Sequence, residues 1–313
     1  MANMKIHKER IMVFGANGLL GQKLVVALLE RYEVTGVGRK EKSAIDFHGY
    51  QYRRCDIVDR VQTRSLIREI KPEVIVNAAA YTDVDGCEDH KEDCWNINVK
   101  GVENIIQAAK SIEAWFIHIS TDYLFDGKNG VLYAEDAKPN PLSYYGRSKF
   151  AGENAVIAAG VEHTIVRTMI LYGTGKDLRL NFATWLVDKL AKGESVKIVD
   201  DQFGHPTLVD DLAKAIRRIA DLKKTGVFHI CGSEYISRYD FAIKLAQIFG
   251  YDVGLIERGK TSELKQKAVR PMHSRFDLSK IARELGIELC GVEEGLKILK
   301  QQLETSKTRS ARS

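Results

Sequence analysis

Residues 11–21, with the sequence Ile-Met-Val-Phe-Gly-Ala-Asn-Gly-Leu-Leu-Gly, decide the fold. Residues 11–14 are a short apolar run typical of a buried strand, and a helical pattern of leucines and valines follows the glycines. A glycine-rich turn lets the backbone approach a pyrophosphate, and the helix N-terminus then offers unpaired N–H groups to the anion. The stretch therefore predicts a dinucleotide site, although a tight turn without a ligand would show the same pattern.

Strands and helices alternate from residue 11 to residue 169. This alternation predicts an α/β fold with a doubly wound parallel (Rossmann-type) sheet. Ligands of such sheets bind beyond the carboxyl ends of the strands. Gly15, Arg39, Asn77 and Thr121 each fall at the end of a predicted strand, so we expect them to converge on one edge of the sheet.

Arg39 bears on the choice of dinucleotide. The second predicted strand, 34–37, runs into Gly38, Arg39 and Lys40, with no Asp or Glu at its tip. An acidic residue there binds the ribose 2′-hydroxyl of NAD, whereas an Arg accommodates the 2′-phosphate of NADP. We therefore expect NADPH, with NADH as the alternative, because two solvated loop charges would give the same sequence.

Tyr145 and Lys149 form the candidate catalytic pair. They are four residues apart in Ser-Tyr-Tyr-Gly-Arg-Ser-Lys at 143–149, so a helix places them on one face, about one turn apart. A nearby ammonium favours the phenolate and lowers the tyrosine pKa from its free value of about 10, which suits general acid catalysis. Taken alone, the spacing is equally compatible with a solvated lysine packed on a surface tyrosine.

The second half of the sequence is less regular and predicts a smaller C-terminal α/β substrate-binding domain. Helices are predicted over 181–192, 208–222, 238–249 and 293–303, and strands over 196–199 and 227–230. The predicted organisation is an N-terminal extension (1–9), an NADP(H)-binding domain (10–170, with later returns around 195–232), a substrate-binding part (171–303) and a basic disordered tail (304–313).

The composition argues against a membrane protein and for the cytoplasm. The 313 residues contain no apolar run of about 18, and the polar, basic N-terminus lacks the apolar region of a signal peptide. Five scattered cysteines without a C-x-x-C pair suit free thiols, and the histidines have no metal-like companions. The net charge of +5 includes Lys307, Arg309 and Arg312 near the C-terminus, so we expect no nucleic-acid partner.

Seven stretches together resemble the dTDP-4-dehydrorhamnose reductase family of the extended short-chain dehydrogenase/reductase superfamily. In the order of that family, they are GANGLLGQ (15–22), NAAAYTDVDGCE (77–88), NINVKG (96–101), STDYLFDG (120–127), YYGRSK (144–149), DDQFGHPT (200–207) and RPMHSRFDLSK (270–280). The resemblance implies NADPH-dependent reduction of the C4 keto group of a nucleotide-linked 6-deoxy sugar. The implied reaction converts dTDP-4-dehydro-L-rhamnose to dTDP-L-rhamnose, in polysaccharide biosynthesis.

The resemblance also implies residue roles. Tyr145 would donate a proton to the C4 oxygen, Thr121 would hydrogen-bond that oxygen, and Lys149 would bind the nicotinamide ribose. The implied cofactor-binding residues are Gly15, Asn17, Gly18, Leu19, Leu20, Gly21, Arg39, Asp56, Ile57, Ala78, Ala79, Ala80 and Asn98, together with Tyr145 and Lys149. The implied substrate-binding residues are Thr82, Asp83, Thr121, Asp122, Tyr123, Asn181, Gln202, Thr207, Arg270 and Ser274.

Two residues depart from related proteins. Lys23 stands where some relatives place an acidic residue used in a metal-bridged dimer, so we expect no such metal and leave a homodimer open. Tyr123 stands where sugar-nucleotide dehydratases have the Glu of an Asp-Glu acid–base pair, which favours simple reduction over elimination.

Several alternatives stay open. One is a non-catalytic, NADP-binding regulatory subunit resembling the beta subunit of methionine adenosyltransferase, although the Thr-Tyr-Lys triad argues against it. Another is a reductase or epimerase of a different nucleotide sugar. At single positions, Arg270 could form a surface ion pair, and Thr121 with Asp122 could merely cap a loop.

Overall fold

The first half of the chain builds most of a central sheet. The computed structural model describes residues 8–310, with side chains through residue 306. Up to residue 168 the elements are β1 (Arg10–Phe14), α1 (Leu19–Leu28), β2 (Glu33–Gly38), β3 (Tyr50–Arg54), α2 (Arg60–Ile70), β4 (Val74–Asn77), α3 (Gly86–Asp89), α4 (Lys91–Trp95), α5 (Gly101–Lys110), β5 (Trp115–Thr121), α6 (Tyr144–Ala159) and β6 (His163–Thr168). A π-helical turn, Asn96–Lys100, joins α4 to α5.

The second half adds shorter strands and further helices. They are β7 (Leu171–Tyr172), α7 (Phe182–Ala191), β8 (Val196–Val199), β9 (Phe203–Gly204), β10 (Thr207–Leu208), α8 (Val209–Leu222), β11 (Gly226–His229), β12 (Ile236–Ser237), α9 (Arg238–Phe249), β13 (Ile256–Gly259), α10 (Ser279–Leu285) and α11 (Val292–Ser310). Within residues 8–310, no helix combines the length and apolar character needed to cross a bilayer.

Seven parallel strands form the central sheet, in the order β11-β6-β5-β4-β1-β2-β3. The chain builds outward in one direction from β1 to β3, then crosses to β4 on the other side of β1. This reversal creates a crevice at the carboxyl ends of β1 and β4, where doubly wound sheets bind their ligands. The predicted α/β doubly wound fold is confirmed.

Helices cover both faces of the sheet, which explains why its central strands β1, β4 and β5 are buried along almost their whole length. Side chains alternate between the faces along β1: Ile11 and Val13 pack with α1 and α8, whereas Met12 and Phe14 pack with α2 and α5. A separate apolar cluster unites α7, α9 and α11 with β8 and β13. The second half therefore has a core of its own beside the sheet.

Two predicted boundaries are wrong. β8 does not return to the central sheet but pairs in parallel with β13, because Val196 and Ile198 pack into the separate cluster. Within the predicted range 195–232, only α8 and β11 join the central sheet or pack on it. Helix α11 continues to Ser310 instead of ending near residue 303, since residues 304–310 contain no Gly or Pro to end it. Residues 1–7 of the predicted extension and 311–313 of the predicted tail lie outside the described residues.

A buried ion pair ties α6 to the sheet. Arg167 on β6 donates from Nε and Nη2 to the two carboxylate oxygens of Glu153 on α6, at 3.0 and 2.8 Å. The side chains are only 6% and 1% exposed. Arg167 Nη1 also donates to the carbonyl oxygen of Glu135 at 2.9 Å, so the guanidinium is neutralised and bonded on several sides.

Replacing Glu153 by Gln should lower the free energy of unfolding by about 3–5 kcal/mol, because a buried guanidinium would lose its counter-charge. Urea unfolding of the wild type and the variant measures the difference. The matched control is Glu293→Gln, which breaks an exposed pair with Lys297 on α11 and should leave the midpoint unchanged. Equal stability of Glu153→Gln and the wild type would contradict the expected result.

Candidate active site

The turn after β1 is so tight that only glycine fits at two of its positions. Gly15 has a φ of +81°, and a Cβ there would come within 2.7 Å of the backbone nitrogen of Ala79. A Cβ on Gly21 would lie 2.1 Å from the carbonyl oxygen of Gly15. The turn is thereby pressed against both α1 and the end of β4. Among the described residues, no side chain caps α1 and no acidic residue occupies its first turn, so its first N–H groups suit an anion.

A cavity of about 250 Å³ opens beside this turn. Nine of the predicted cofactor residues line it: Gly15, Asn17, Gly18, Arg39, Asp56, Ile57, Ala78, Ala79 and Ala80. The structure thus brings together the ends of β1, β2, β3 and β4, as the topology predicted. Sequence reasoning did not single out the other lining residues, Val37, Gly38, Lys40, Cys55 and Ile97, although each adjoins or lies close to a predicted one.

The loop that carries Arg39 is fixed by Asn17. The Asn17 carboxamide accepts the Ala44 N–H at 2.8 Å and donates to the Tyr52 hydroxyl at 3.1 Å. Arg39 and Lys40 themselves are exposed. Within the part of the chain whose side chains are described, the Arg39 guanidinium makes no hydrogen bond or ion pair. It is therefore available to an anionic ligand at the rim of the cavity.

Asn98 lies in the π-helical turn and is fully buried. Its carboxamide accepts the Tyr81 N–H at 2.8 Å and donates to the Tyr81 carbonyl at 3.1 Å and the Ser148 hydroxyl at 3.0 Å. Asn98 therefore joins the loop after β4 to α6. Because its carboxamide is fully hydrogen-bonded within the protein, Asn98 serves to position Tyr81 and Ser148. Leu19, Leu20 and Gly21 form the first turn of α1, and Leu20 and Gly21 are buried.

Thr121, Tyr145 and Lys149 come together at the end of β5. Ser143 caps α6 by accepting the Gly146 N–H, and the helix then presents Tyr145 and Lys149 one turn apart. Lys149 Nζ donates to the carbonyl oxygen of Ile119 at 2.6 Å. Thr121 is the last residue of β5, and its hydroxyl lies close enough to the Tyr145 phenol to influence its pKa.

Burial controls the pKa of Tyr145. The net shift is opposite to the predicted lowering of this pKa by the Lys149 ammonium, which donates to the Ile119 carbonyl. Burial raises the pKa of Tyr145 above its ordinary value, and the hydrogen bond with Thr121 only partly offsets this. Burial also lowers the pKa of Lys149 to about 8, against an opposing effect of Glu153. At neutral pH the phenol is protonated and the lysine is charged.

Asp122 and Ser274 brace Thr121 instead of facing the substrate cleft as predicted. Both side chains are about 5% exposed or less. Asp122 accepts the Thr121 hydroxyl at 3.1 Å and the Ser274 hydroxyl at 2.6 Å. Burial raises the pKa of the Asp122 carboxyl, although both hydrogen bonds oppose the rise. These residues set the orientation of Thr121.

The side chains of Thr207 and Asn181 are also engaged within the protein. Thr207 is fully buried, and its hydroxyl donates to the His205 carbonyl and accepts the Gly232 N–H. The prediction that it binds substrate is wrong. Asn181 caps α7 by accepting the Thr184 N–H at 3.2 Å and donates to the Gly173 carbonyl at 2.8 Å.

The remaining predicted substrate residues occupy loops around the cleft. Thr82 and Asp83 are exposed in the loop after β4, where Asp83 accepts the Gly86 N–H at 2.9 Å. Gln202 donates to the Thr261 hydroxyl at 3.0 Å. The Tyr123 ring meets the Tyr145 ring edge-on, with 5.3 Å between the centroids. Tyr123 is therefore the predicted substrate residue packed directly on the candidate acid.

Arg270 forms the ion pair that its sequence context left open. Its Nη1 and Nη2 donate to the two carboxylate oxygens of Asp85, at 3.0 and 2.8 Å. This bidentate contact lowers the pKa of Asp85 and fixes the guanidinium, which also lies beside the Tyr123 hydroxyl. The positive charge of Arg270 is therefore already neutralised in the protein.

Sequence reasoning missed Arg238, the first residue of α9. Its guanidinium lies over the Phe182 ring, 5.0 Å from the centroid, and its charge acts on Tyr123 and Asp122. A signal was present, because Ser237 directly precedes the predicted helix over 238–249 and serine is a preferred N-cap residue. The helix dipole favours acidic residues in the first turn of a helix, so a basic residue there is unfavourable and stands out.

Gln22 and Lys23 join α1 to the second half of the chain. The Gln22 carboxamide donates to the Lys176 carbonyl at 2.8 Å and accepts the Lys176 N–H at 2.9 Å. The Lys23 ammonium pairs with Asp210 at 2.9 Å. These contacts hold the loop after β7 against the glycine-rich turn.

The chain matches a family model described as the RmlD substrate binding domain over residues 9–305. It is 34% identical over 290 residues to the probable low-salt glycan biosynthesis reductase Agl14 of Haloferax volcanii, covering 92% of this chain and 96% of that protein. It is 32% identical over 308 residues to the dTDP-4-dehydrorhamnose reductase of Escherichia coli, covering 95% and 98%. The crystal structure of Bacillus anthracis dTDP-4-dehydrorhamnose reductase in complex with NADP is similar, with a TM-score of 0.86, 31% identity and coverage of 95% and 100%.

Because burial raises the pKa of Tyr145, its phenol should remain protonated at pH 10, where a free tyrosine is half ionised. NMR spectra of the protein labelled with ¹³C in the tyrosine rings can follow the titration, with the Tyr145 signal assigned from its loss in Tyr145→Phe. Free tyrosine titrated in the same buffers would serve as the reference. Ionisation of Tyr145 below pH 10 would contradict the dominance of burial.

Proposed function

Because the chain belongs to the RmlD substrate binding domain family, we propose that it catalyses the NADPH-dependent reduction of the C4 keto group of a nucleotide-linked 6-deoxy sugar. The observation that carries this proposal is the convergence of Thr121, Tyr145 and Lys149 at the sheet edge that also holds the glycine-rich turn. Relatives named dTDP-4-dehydrorhamnose reductase favour dTDP-4-dehydro-L-rhamnose as the substrate and dTDP-L-rhamnose as the product. The product would serve polysaccharide synthesis.

The residues at the sheet edge fit a bound NADPH. Gly15, Gly18 and the N-terminus of α1 suit a pyrophosphate, since no side chain blocks the approach to the turn. The exposed Arg39, without a partner among the described side chains, suits a 2′-phosphate. When bound, NADPH supplies the hydride for the reduction.

Tyr145 would donate the proton that the C4 oxygen takes up. The raised pKa keeps this phenol protonated at working pH, so the proton to be donated is present before the reaction begins. Lys149 carries a positive charge below its pKa of about 8, and this charge would stabilise the phenolate left behind. The hydrogen bond to the Ile119 carbonyl holds the ammonium in place, and Lys149 would also hydrogen-bond the nicotinamide ribose.

Thr121 would stabilise the negative charge that develops on the C4 oxygen. A threonine hydroxyl has one hydrogen, and in the structure it points to Asp122. While it does so, the hydroxyl cannot donate to a substrate. We expect this hydrogen to turn from Asp122 to the C4 oxygen during reaction, while Ser274 continues to bond the carboxylate.

Replacing Tyr145 by Phe should reduce turnover about 10²–10⁴-fold, the usual contribution of a general acid, while NADPH still binds. The assay is consumption of NADPH with dTDP-4-dehydro-L-rhamnose, and cofactor binding is measured separately by fluorescence. The matched control is Tyr144→Phe, since the adjacent phenol makes no hydrogen bond within the described residues and turnover should persist. Undiminished turnover in Tyr145→Phe would rule out the acid role. If the wild-type protein binds NADPH but does not reduce this sugar, the assignment of dTDP-4-dehydro-L-rhamnose as the substrate is refuted.

Replacing Arg39 by Gln should weaken NADPH binding about 10- to 100-fold, because a charge-assisted contact to the 2′-phosphate would be lost. NADH lacks this phosphate, so its affinity should not change. Fluorescence titration with both cofactors measures the two effects. Arg31→Gln is the control, since Arg31 lies at the opposite end of β2 and faces Asp221. An equal loss of affinity for NADPH and NADH would contradict the assignment.

A further inference from the structure

Arg238 is a half-buried cation that no acidic side chain pairs with among the described residues. Among residues 8–306, its guanidinium makes no hydrogen bond or ion pair. Its single contact of defined geometry is with the Phe182 ring, 5.0 Å away. A guanidinium stacked on an aromatic face keeps the N–H groups along its edge free to bind a planar or tetrahedral anion.

The position of Arg238 is fixed from both sides. The backbone N–H of Arg238 donates to the Gln202 carbonyl at 2.9 Å, which sets the start of α9. The guanidinium lies close enough to Tyr123 and Asp122 for its charge to act on both. Tyr123 in turn contacts the ring of Tyr145. The charge of Arg238 therefore acts on the residue that packs against the proposed acid, from the second half of the chain.

Of the two described arginines whose charges act on Tyr123, Arg238 is the one whose charge is not neutralised by an ion pair. Arg270, which faces the same tyrosine, is bound by both oxygens of Asp85. Asp122 already accepts two hydroxyl hydrogens, and burial disfavours its charged form. Burial lowers the pKa of Arg238, repulsion from Arg270 adds to this, and Tyr123 and Asp122 offset it only in part. Its place in the first turn of α9 is unfavourable as well. An anion bound beside it would relieve each of these costs.

We propose that Arg238 binds the diphosphate that links the sugar to its nucleoside, and so selects nucleoside diphosphate sugars over sugars carrying fewer phosphates. This inference rests on the proposed function, because it assumes that a nucleotide sugar occupies the cleft next to Tyr145. Arg270 has a different role. Its ion pair with Asp85 holds its guanidinium beside the Tyr123 hydroxyl and so helps to fix the position of Tyr123. Arg238 acts on substrate binding and is remote from the C4 carbonyl.

The experiment measures binding of thymidine, dTMP and dTDP to the protein saturated with NADPH, by calorimetry. Saturation with NADPH keeps the nucleotides out of the cofactor site. In the wild type, affinity should rise from thymidine to dTDP. Arg238→Gln should weaken dTDP binding about 10- to 100-fold and leave thymidine binding unchanged, because only the phosphate contact is lost. Arg238→Lys should recover part of the affinity, since it restores the charge without the planar fork.

Two controls separate this role from a structural one. Arg283→Gln removes an exposed arginine on α10 and should bind all three probes as the wild type does. The NADPH affinity and the unfolding midpoint of Arg238→Gln should match those of the wild type. In turnover assays the variant should show a raised KM with a smaller change in kcat, as expected for a contact distant from the reacting carbon.

Wild-type affinity for dTDP in Arg238→Gln would overturn the proposal, and so would an equal loss of thymidine and dTDP binding. The same series with uridine, guanosine, adenosine and cytidine nucleotides distinguishes this failure from failure of the proposed function. If another base binds and shows the same dependence on Arg238, the dTDP sugar is wrong but the diphosphate contact stands. If no nucleoside diphosphate binds the NADPH-loaded wild type, the diphosphate contact is refuted directly.

Discussion

The close contact between Gly21 and the carbonyl of Gly15 is the constraint on which the site depends. A single added carbon at Gly21 would lie 2.1 Å from that oxygen, so the first turn of α1 can approach β1 only through glycine. This approach places the N-terminus of α1 at the carboxyl edge of the sheet. β4 and β5 end at the same edge because all the strands of the sheet are parallel. The cavity beside the glycine-rich turn and the candidate catalytic side chains therefore share one edge.

Desolvation is the stronger of two opposing effects on the catalytic groups. A lysine next to a tyrosine favours the phenolate, but both side chains are nearly excluded from water, at 2% and 8% exposure. Burial penalises whichever form is charged, so it raises the pKa of the phenol and lowers that of the ammonium. The two values, which lie close together for the free side chains, therefore move apart. A proton donor and a cation that coexist at neutral pH result from this environment, before any ligand is bound.

Local pattern was sufficient to predict the fold, and also the residues of the site that depend on strand ends. β1, α1 and α6 follow from apolar periodicity, glycines and a serine cap, all of which act within a few residues. Non-local pairing was not predictable: β8 reads as a strand, but nothing in its sequence selects β13 as the partner instead of the central sheet. Side-chain direction was equally hidden. Thr207 and Asp122 lie in stretches that resemble a family motif, yet they point into the protein. Arg238 lies outside every recognised motif.

The two hydrogen bonds between Gln22 and Lys176 both reach main-chain atoms of Lys176. The identity of the side chain at position 176 is therefore free to vary, since any residue with a backbone N–H offers the same donor and acceptor. Only proline would remove one of the two bonds. Gln22 has no such freedom, because a shorter amide would not span the gap. Related sequences should consequently vary widely at position 176 and little at position 22, although both residues take part in the same contact.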